Sequence, residues 1–323
     1  MGKVLLTIKR DDNQLQEPIV LDGITWETAH KEQPSKLTFT VVKDDNLSFS
    51  EGAEVTLSYD NANLFFGYVF TKTRNKDHHI EVTAYDQLRY LQAKSSYRWV
   101  SGVRADQVVK RIADDFRLKT GVLTNTGFVI SKFEQLDQSL FDMIQTAIDE
   151  TVMNTNQLYY LYDDYGLLKL KNIKDSVVPI IIDKDTAEDF DYKTSIDSET
   201  YNRIVIAEDS EEKGQGSYQV VMDESNAKRW GVLQYFEAGY KGQNALNKAK
   251  TLLKLHNQVS RSLTINGCLG DTRVRAGTSV YVDLNLGDQI AQQRMLVEKA
   301  THTFDNGHHY MSLSLIGCKE FYG

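Results

Sequence analysis

Large apolar and polar residues alternate in two separated stretches of this chain, and the two stretches share one plan. In the first, Gly52 is followed by Val55, Leu57 and Tyr59, and a closing run carries Ile80, Val82 and Ala84. In the second, Gly277 is followed by Val280, Val282 and Leu284, and the closing run carries Met311, Leu313 and Leu315. A period of two places every second side chain on one face, so each run predicts a strand with one buried side. The second copy is a few residues longer between glycine and closing strand, which a longer hairpin loop absorbs. The middle strands match less well: Phe66, Tyr68 and Phe70 alternate cleanly, whereas Leu296, Glu298 and Ala300 do not.

The pattern divides the chain into three regions. Residues 1–95 are nearly all β, with strands predicted at Val4–Lys9, Ile24–Ala29, Lys36–Val42, Glu54–Tyr59, Leu64–Thr71 and His79–Tyr85, then a helical turn over Asp86–Leu91. Short strands separated by polar turns at this spacing predict a small barrel or sandwich. Residues 96–190 change period. Val108, Ile112 and Phe116 form one helical stripe, and Leu140, Ile144 and Ile148 another, with Ser139 and Asp142 as the N-cap signature of the second helix. QLYYLY, the turn DDYG and LLKLK read as a hairpin, and VPIII as a further strand. Residues 191–323 return to strands: TYNRIVIAED and SYQVVMD flank the polar tip SEEKGQG, and four strands run over Ser260–Cys268, Thr278–Leu284, Arg294–Thr303 and His309–Ile316. Between them Gln243–His256 is helical, with Leu246, Ala249, Leu252, Leu253 and Leu255 on its apolar side, and packs on the middle region in one reading. The predicted class is α+β, mostly β: two similar β modules, barrel or sandwich, separated by a small α+β domain.

Composition narrows the function more than the fold. A length of 323 residues fits two or three domains at roughly 100–200 residues each. The net charge of −8 argues against tight binding of a phosphate backbone, which needs clustered Lys and Arg. No apolar run approaches the ~20 residues that span a bilayer, and MGKVLLTIKR is no signal peptide, so no membrane anchoring and a cytoplasmic site of synthesis are expected. Cys268 and Cys318 sit in apolar, strand-like surroundings; free buried thiols fit better than a disulfide.

Chemical motifs are sparse. His78-His79 and His308-His309 stand at the starts of the two closing strands, with His302 nearby, but adjacent strand residues point to opposite faces and ligate one ion poorly. The acidic run Asp183–Asp191 lacks the glycine and the final glutamate of a calcium loop and reads as a solvated linker. KGQG at 213–216 is not a phosphate cradle, and no nucleophile elbow or zincin helix is present. LYYLY at 158–162 and Phe65-Phe66 beside Gly67 fit strand core first and a sugar or partner surface second. No catalytic, cofactor-binding or metal residue is singled out.

One family resemblance gathers these features. FSEGAEVTLSYDNANLFFGYVFTKTRNKDHHIEVTAYDQLRYL, then YNRI at 201–204, GVLQYFE at 231–237, AKTLLKLHNQ, GDTRVRAGTSVYV and MLVEKATHTFDNGHHYMSLSL resemble, in this order, the XkdQ/YqbQ-type baseplate hub proteins of contractile phage tails and phage-tail-like particles. The resemblance implies that the two modules are tail-tube-like β-barrels, over 1–95 and 191–323, with the α+β insert over 96–190. It implies a homotrimer forming a pseudo-sixfold ring that joins the tail tube protein to the spike or needle protein, beside other baseplate proteins. Such a part is assembled in the bacterial host and carried in the virion baseplate. It is no enzyme and has no specific nucleic-acid binding, though DNA passes through its channel. The other classes in play are a tail-associated peptidoglycan hydrolase and a carbohydrate-binding adhesion module.

Overall fold

A computed structural model describes residues 2–21, 23–31, 33–44, 46–197, 199–208, 217–238, 245–285 and 290–317. The first seven strands are β1 (Val4–Lys9), β2 (Leu15–Gln16), β3 (Ile24–Ala29), β4 (Lys36–Val42), β5 (Glu54–Tyr59), β6 (Ala62–Arg74) and β7 (His79–Tyr85). They pair antiparallel in the order β3-β4-β7-β6-β5-β1-β2. Asp60 and Asn61 turn the β5–β6 hairpin with φ of +47° and +66°, the left-handed pair that tight hairpins use. One face of these strands closes on Leu37, Phe39, Val41, Val55, Leu57, Phe65, Val69, Ile80 and Val82. On β6 that face is Phe65 and Val69, so the cleanly alternating Phe66, Tyr68 and Phe70 lie on the other side. There they meet the rings of Tyr165, Tyr90 and Tyr85. β6 is apolar on both faces because it packs on both.

Asp86 accepts from the Leu88 amide and caps a short 3-10 helix over Gln87–Gln92. The middle region then runs β8 (Lys94–Trp99), α1 (Ala105–Asp115), β9 (Thr120–Leu123), β10 (Phe133–Ser139), α2 (Leu140–Thr155), β11 (Tyr159–Asp163) and β12 (Leu168–Asn172). Ser139 Oγ accepts from the Asp142 amide at 3.0 Å, and Asn156 ends α2 in the left-handed conformation. Val108, Val109 and Ile112 of α1 pack with Leu140, Ile144, Ala147 and Ile148 of α2 over Leu168 and Leu170 of the hairpin. The polar strands β8 and β10 pair with each other at the edge of this unit.

The rest comprises β13 (Val177–Asp183), β14 (Asp189–Ser195), β15 (Arg203–Glu208), β16 (Ser217–Met222), α3 (Glu224–Trp230), β17 (Gln234–Ala238), α4 (Ala245–His256), β18 (Ser260–Leu269), β19 (Ser279–Asn285), β20 (Ile290–Asp305) and β21 (His308–Ile316). The acidic run read as a linker joins two strands rather than two domains: Asp183 ends β13, and from Asp189 onward the chain is β14, paired along its length with β18. Its charges mask a period of two in Phe190 and Tyr192, which face the core. Helix α4 packs Ala245, Ala249 and Leu252 on Ile204 and Ile206 of β15, and the Thr251 hydroxyl donates to the Met153 carbonyl of the middle region. Leu246 does not join that face and is 42% exposed. The tip between β15 and β16, the KGQG run, Gln243 and Cys318 lie outside the described residues.

The two β modules are not separate bodies. β20 is 16 residues long, and its later half pairs with β3, so a 13-stranded sheet runs through both modules. The expectation of two closed barrels is met only in its coarser form, two mostly β modules: among the described residues the hydrogen-bond path is open, ending at β2 and at β14.

Candidate functional site

The repeat read from alternation extends to the strand order and to the register of the central β6–β7 and β20–β21 ladders. The first module has the order β3-β4-β7-β6-β5-β1 and the second β14-β18-β21-β20-β19-β13. Only the outermost pairs differ in direction, β1 lying antiparallel to β5 and β13 parallel to β19. Val69 faces Ala84 and Thr71 faces Thr83, with Phe70 bulged between; Val297 faces Leu315 and Lys299 faces Ser314, with Glu298 bulged between. The glycines take φ of +87° at Gly52 and +85° at Gly277, and their amides donate to the carbonyls of Val69 and Val297. The bulge also explains the irregular middle strand: it shifts the phase, so Val297, Ala300, His302 and Phe304 are buried rather than Glu298.

The modules meet at the β3–β20 seam. Trp26 faces His302 across it, with stacked rings 4.8 Å apart, and Ala29 faces Lys299. His302 Nε2 donates to the Val274 carbonyl at 2.9 Å, which leaves Nδ1 to accept from His309 Nε2 at 2.8 Å. His309 in turn stacks on Phe304 with centroids 4.5 Å apart, and Tyr59 packs edge-on to it. Burial, joined by the neighbouring His309, pushes His302 down to about 3; burial pushes His309 down to about 4. Two of the suspected metal histidines are thus a neutral, hydrogen-bonded pair, with both ring nitrogens of His302 in use. His308 is exposed, and His78 stands in a turn with φ of +61°. Among the described residues no three His, Cys, Asp or Glu groups come together to hold an ion.

A polar junction ties the middle region to both modules. Asp86 is buried and accepts from the Ser35 amide at 3.0 Å, while Gln87 Nε2 donates to Asp163 at 2.7 Å. Asp163 also accepts from the Gly166 amide at 2.7 Å. Arg275 donates to the Asp163 carbonyl at 2.8 Å and lies 4.5 Å from the centre of the Tyr162 ring. The Ala276 amide donates to Thr28 Oγ1 at 2.9 Å, and a Cβ on Gly277 would sit 2.2 Å from the Tyr160 ring. Burial first, and the neighbouring Asp163 second, hold Asp86 well above the usual carboxylate range; burial raises Asp163 as well. LYYLY therefore supplies junction packing through Tyr160 and Tyr162. Sequence reasoning passed over Asp86, Asp163 and Arg275, because no local pattern distinguishes a junction carboxylate from a turn residue.

Open surfaces are few in kind. A cleft of about 580 Å³ is lined by Glu27, Lys36, Tyr85, Arg89 and Lys299 among others. Among the described residues its one acid, Glu27, is paired with Lys36 at 3.0 Å and with Lys299 at 2.7 Å. The paired carboxylates of the junction are enclosed instead. Cys268 is a buried thiol pushed up to about 11 by burial. On the face of β15–β17 away from α4, Tyr218, Val220 and Phe236 are exposed.

Comparison with known proteins places this architecture. The model of the YQBQ-like family matches residues 24–316. Phage-like element PBSX protein XkdQ of Bacillus subtilis (strain 168) is 28% identical over 308 residues, covering 92% of this chain and 93% of the relative. Among solved structures, the 43 kDa tail protein of prophage MuSo2 from Shewanella oneidensis shares the fold with a TM-score of 0.72 at 12% identity, over 98% of each chain. The E. coli c3393 protein, described as a type VI secretion component structurally similar to phage tail proteins, shares it with a TM-score of 0.60 at 11% identity, over 98% of this chain and 78% of that one.

Proposed function

The chain belongs to the YQBQ-like family, and we propose that it is the structural hub of a contractile-tail baseplate, a homotrimer whose pseudo-sixfold ring joins the tail tube to the spike. The observation that carries this reading is the doubled module: two units of one strand order per chain, taken three times, offer six near-equivalent faces. A part with that property adapts a sixfold tube to a threefold spike. The names of the relatives point the same way, from a phage-like element, a prophage tail and a secretion apparatus likened to phage tails.

In this reading the modules over 1–95 and 191–323 build the ring as tube-like barrels, and the insert over 96–190 faces other baseplate proteins. The net charge of −8 keeps passing DNA off the channel wall where acids face inward. The part works by shape rather than catalysis, a reading favoured by a cleft in which Glu27, the one acid among the described lining residues, is held between two lysines. It assembles in the bacterial host cytoplasm and ends in the tail baseplate.

The test is molar mass by light scattering, for the purified chain alone and with the spike protein of the same tail. Three copies per particle in at least one of the two samples is expected; a single copy in both overturns the trimeric hub.

A further inference from the structure

The internal seam has two open counterparts. Among the described residues β14 pairs on one side only, with β18, and β6 beyond Val69 pairs on one side only, with β7. Each leaves a row of backbone donors and acceptors without a strand neighbour, an arrangement that folded proteins cover or blunt. In the repeat, β14 is the counterpart of β3, and the end of β6 is the counterpart of the stretch of β20 that β3 covers. The chain therefore fills this joint once within itself and presents both halves of the same joint, unfilled, at its two ends.

We propose that β14 of one copy of this chain pairs antiparallel with the end of β6 in the next copy, in the register that β3 and β20 use within the chain. This rests on the hub reading and deepens it by naming the contact between copies. The register follows from the shared ladders. Trp26 faces Leu37 as Tyr192 faces Leu263, and Leu37 and Leu263 face Ala84 and Leu315, themselves counterparts. Tyr192 thus stands for Trp26 and Lys193 for Glu27, while Thr73 stands for Thr301 and Arg74 for His302. Glu27 faces Thr301 and Trp26 faces His302 within the chain. Between copies, Lys193 then faces Thr73, and the Tyr192 ring lies beside the Arg74 guanidinium, a favourable cation–π neighbour.

One further observation fits. Trp26 and His302 are buried at the filled seam, whereas Arg74 and Thr73 are exposed and Tyr192 is half-buried, as expected of positions whose neighbour is another molecule. The contact is heterologous, edge to a different edge, which makes a ring if the rotation closes and a filament if it does not.

Paired antiparallel residues have Cα atoms ~4.5–5.5 Å apart, within disulfide reach. The test is the double variant Lys193→Cys with Thr73→Cys, with Cys318→Ser so that the buried Cys268 is the one native thiol left. It is oxidised and run on a non-reducing gel beside each single variant. Both positions are exposed, so an unchanged thermal melt of the reduced protein confirms the fold. Conversion of most of the monomer band to dimer and trimer bands, absent from the single variants, is expected. A three-copy particle that stays uncrosslinked overturns the pairing and leaves the hub reading standing. Crosslinked bands that continue past three keep the pairing and sink the trimer. A protein that stays monomeric and uncrosslinked, or single variants that crosslink equally, overturns the pairing.

Discussion

His302 and His309 show how a residue type that suggests metal chemistry becomes a packing element once its neighbours are known. Protonating His302 at Nδ1 would set two N–H groups against each other across 2.8 Å, and its Nε2 proton is committed to Val274. Both rings therefore fold neutral, with His302 pushed down to about 3 and His309 to about 4. In the unfolded chain each titrates near pH 6.5. A folded value below the unfolded one gives stability that is complete above ~6.5 and is lost as pH falls toward the folded values. Each histidine contributes a slope of up to about 1.4 kcal/mol per pH unit in that window. Asp86 and Asp163, raised by burial, work in the opposite direction: their folded state is favoured at low pH and loses ground as pH rises above the ordinary carboxylate range. Replacing both histidines by glutamine isolates the first effect. Urea unfolding from pH 7 to 4.5 is expected to show stability falling more steeply in the wild type than in the double variant; parallel curves would mean that the histidines are not neutral in the folded chain.

At the scale of elements, strong alternation was legible almost to the residue. β1, β3, β4, β5 and β7 have the bounds read from the sequence, and Ser139 caps α2 as its spacing implied. What the pattern concealed has physical causes. β8 and β10 are mostly polar, and the few apolar side chains they pack on the core, Tyr97 and Trp99 of KSSYRW and Phe133 of FEQLDQS, are too sparse to mark a strand. β14 alternates, but with acids in its outward positions, and composition overrode period. β20 changes phase at its bulge, which a single template reads as noise. The junction and the open edges were not legible at all, because each joins residues far apart in the chain. The assigned phase of β21 is testable where both faces are defined. Leu313 is 1% exposed in the second core, and Ser312 points the other way. Leu313→Asp places a charge among apolar side chains and is expected to cost several kcal/mol, enough to lose the fold. Ser312→Asp is expected to stay within about 1 kcal/mol. Equal loss of melting temperature in the two variants would refute the phase.

For the whole molecule, the design problem is to hold two β modules and an insert in one fixed relation while leaving the edges of the sheet ready for neighbours. The β3–β20 ladder fixes one module on the other, and the insert is fixed by the junction beside it, where Arg275 of the second module reaches Asp163 and Tyr162 of the middle region. That arginine acts through its flat guanidinium, which lies near the Tyr162 ring while a terminal nitrogen donates to the carbonyl. Lysine offers a point charge and no comparable plane, so Arg275→Lys is not a conservative change here. The ring contact and the charge-assisted hydrogen bond together are worth about 1–3 kcal/mol. The loss belongs to one place, since the seam ladder and its stacked rings do not involve this side chain. Hydrogen exchange followed by mass spectrometry is therefore expected to show faster exchange over β11 and β12 in Arg275→Lys, with β3 and the paired half of β20 unchanged. Uniform loosening of all four strands would mean that insert and sheet unfold as one unit, and the junction would not be a separable joint.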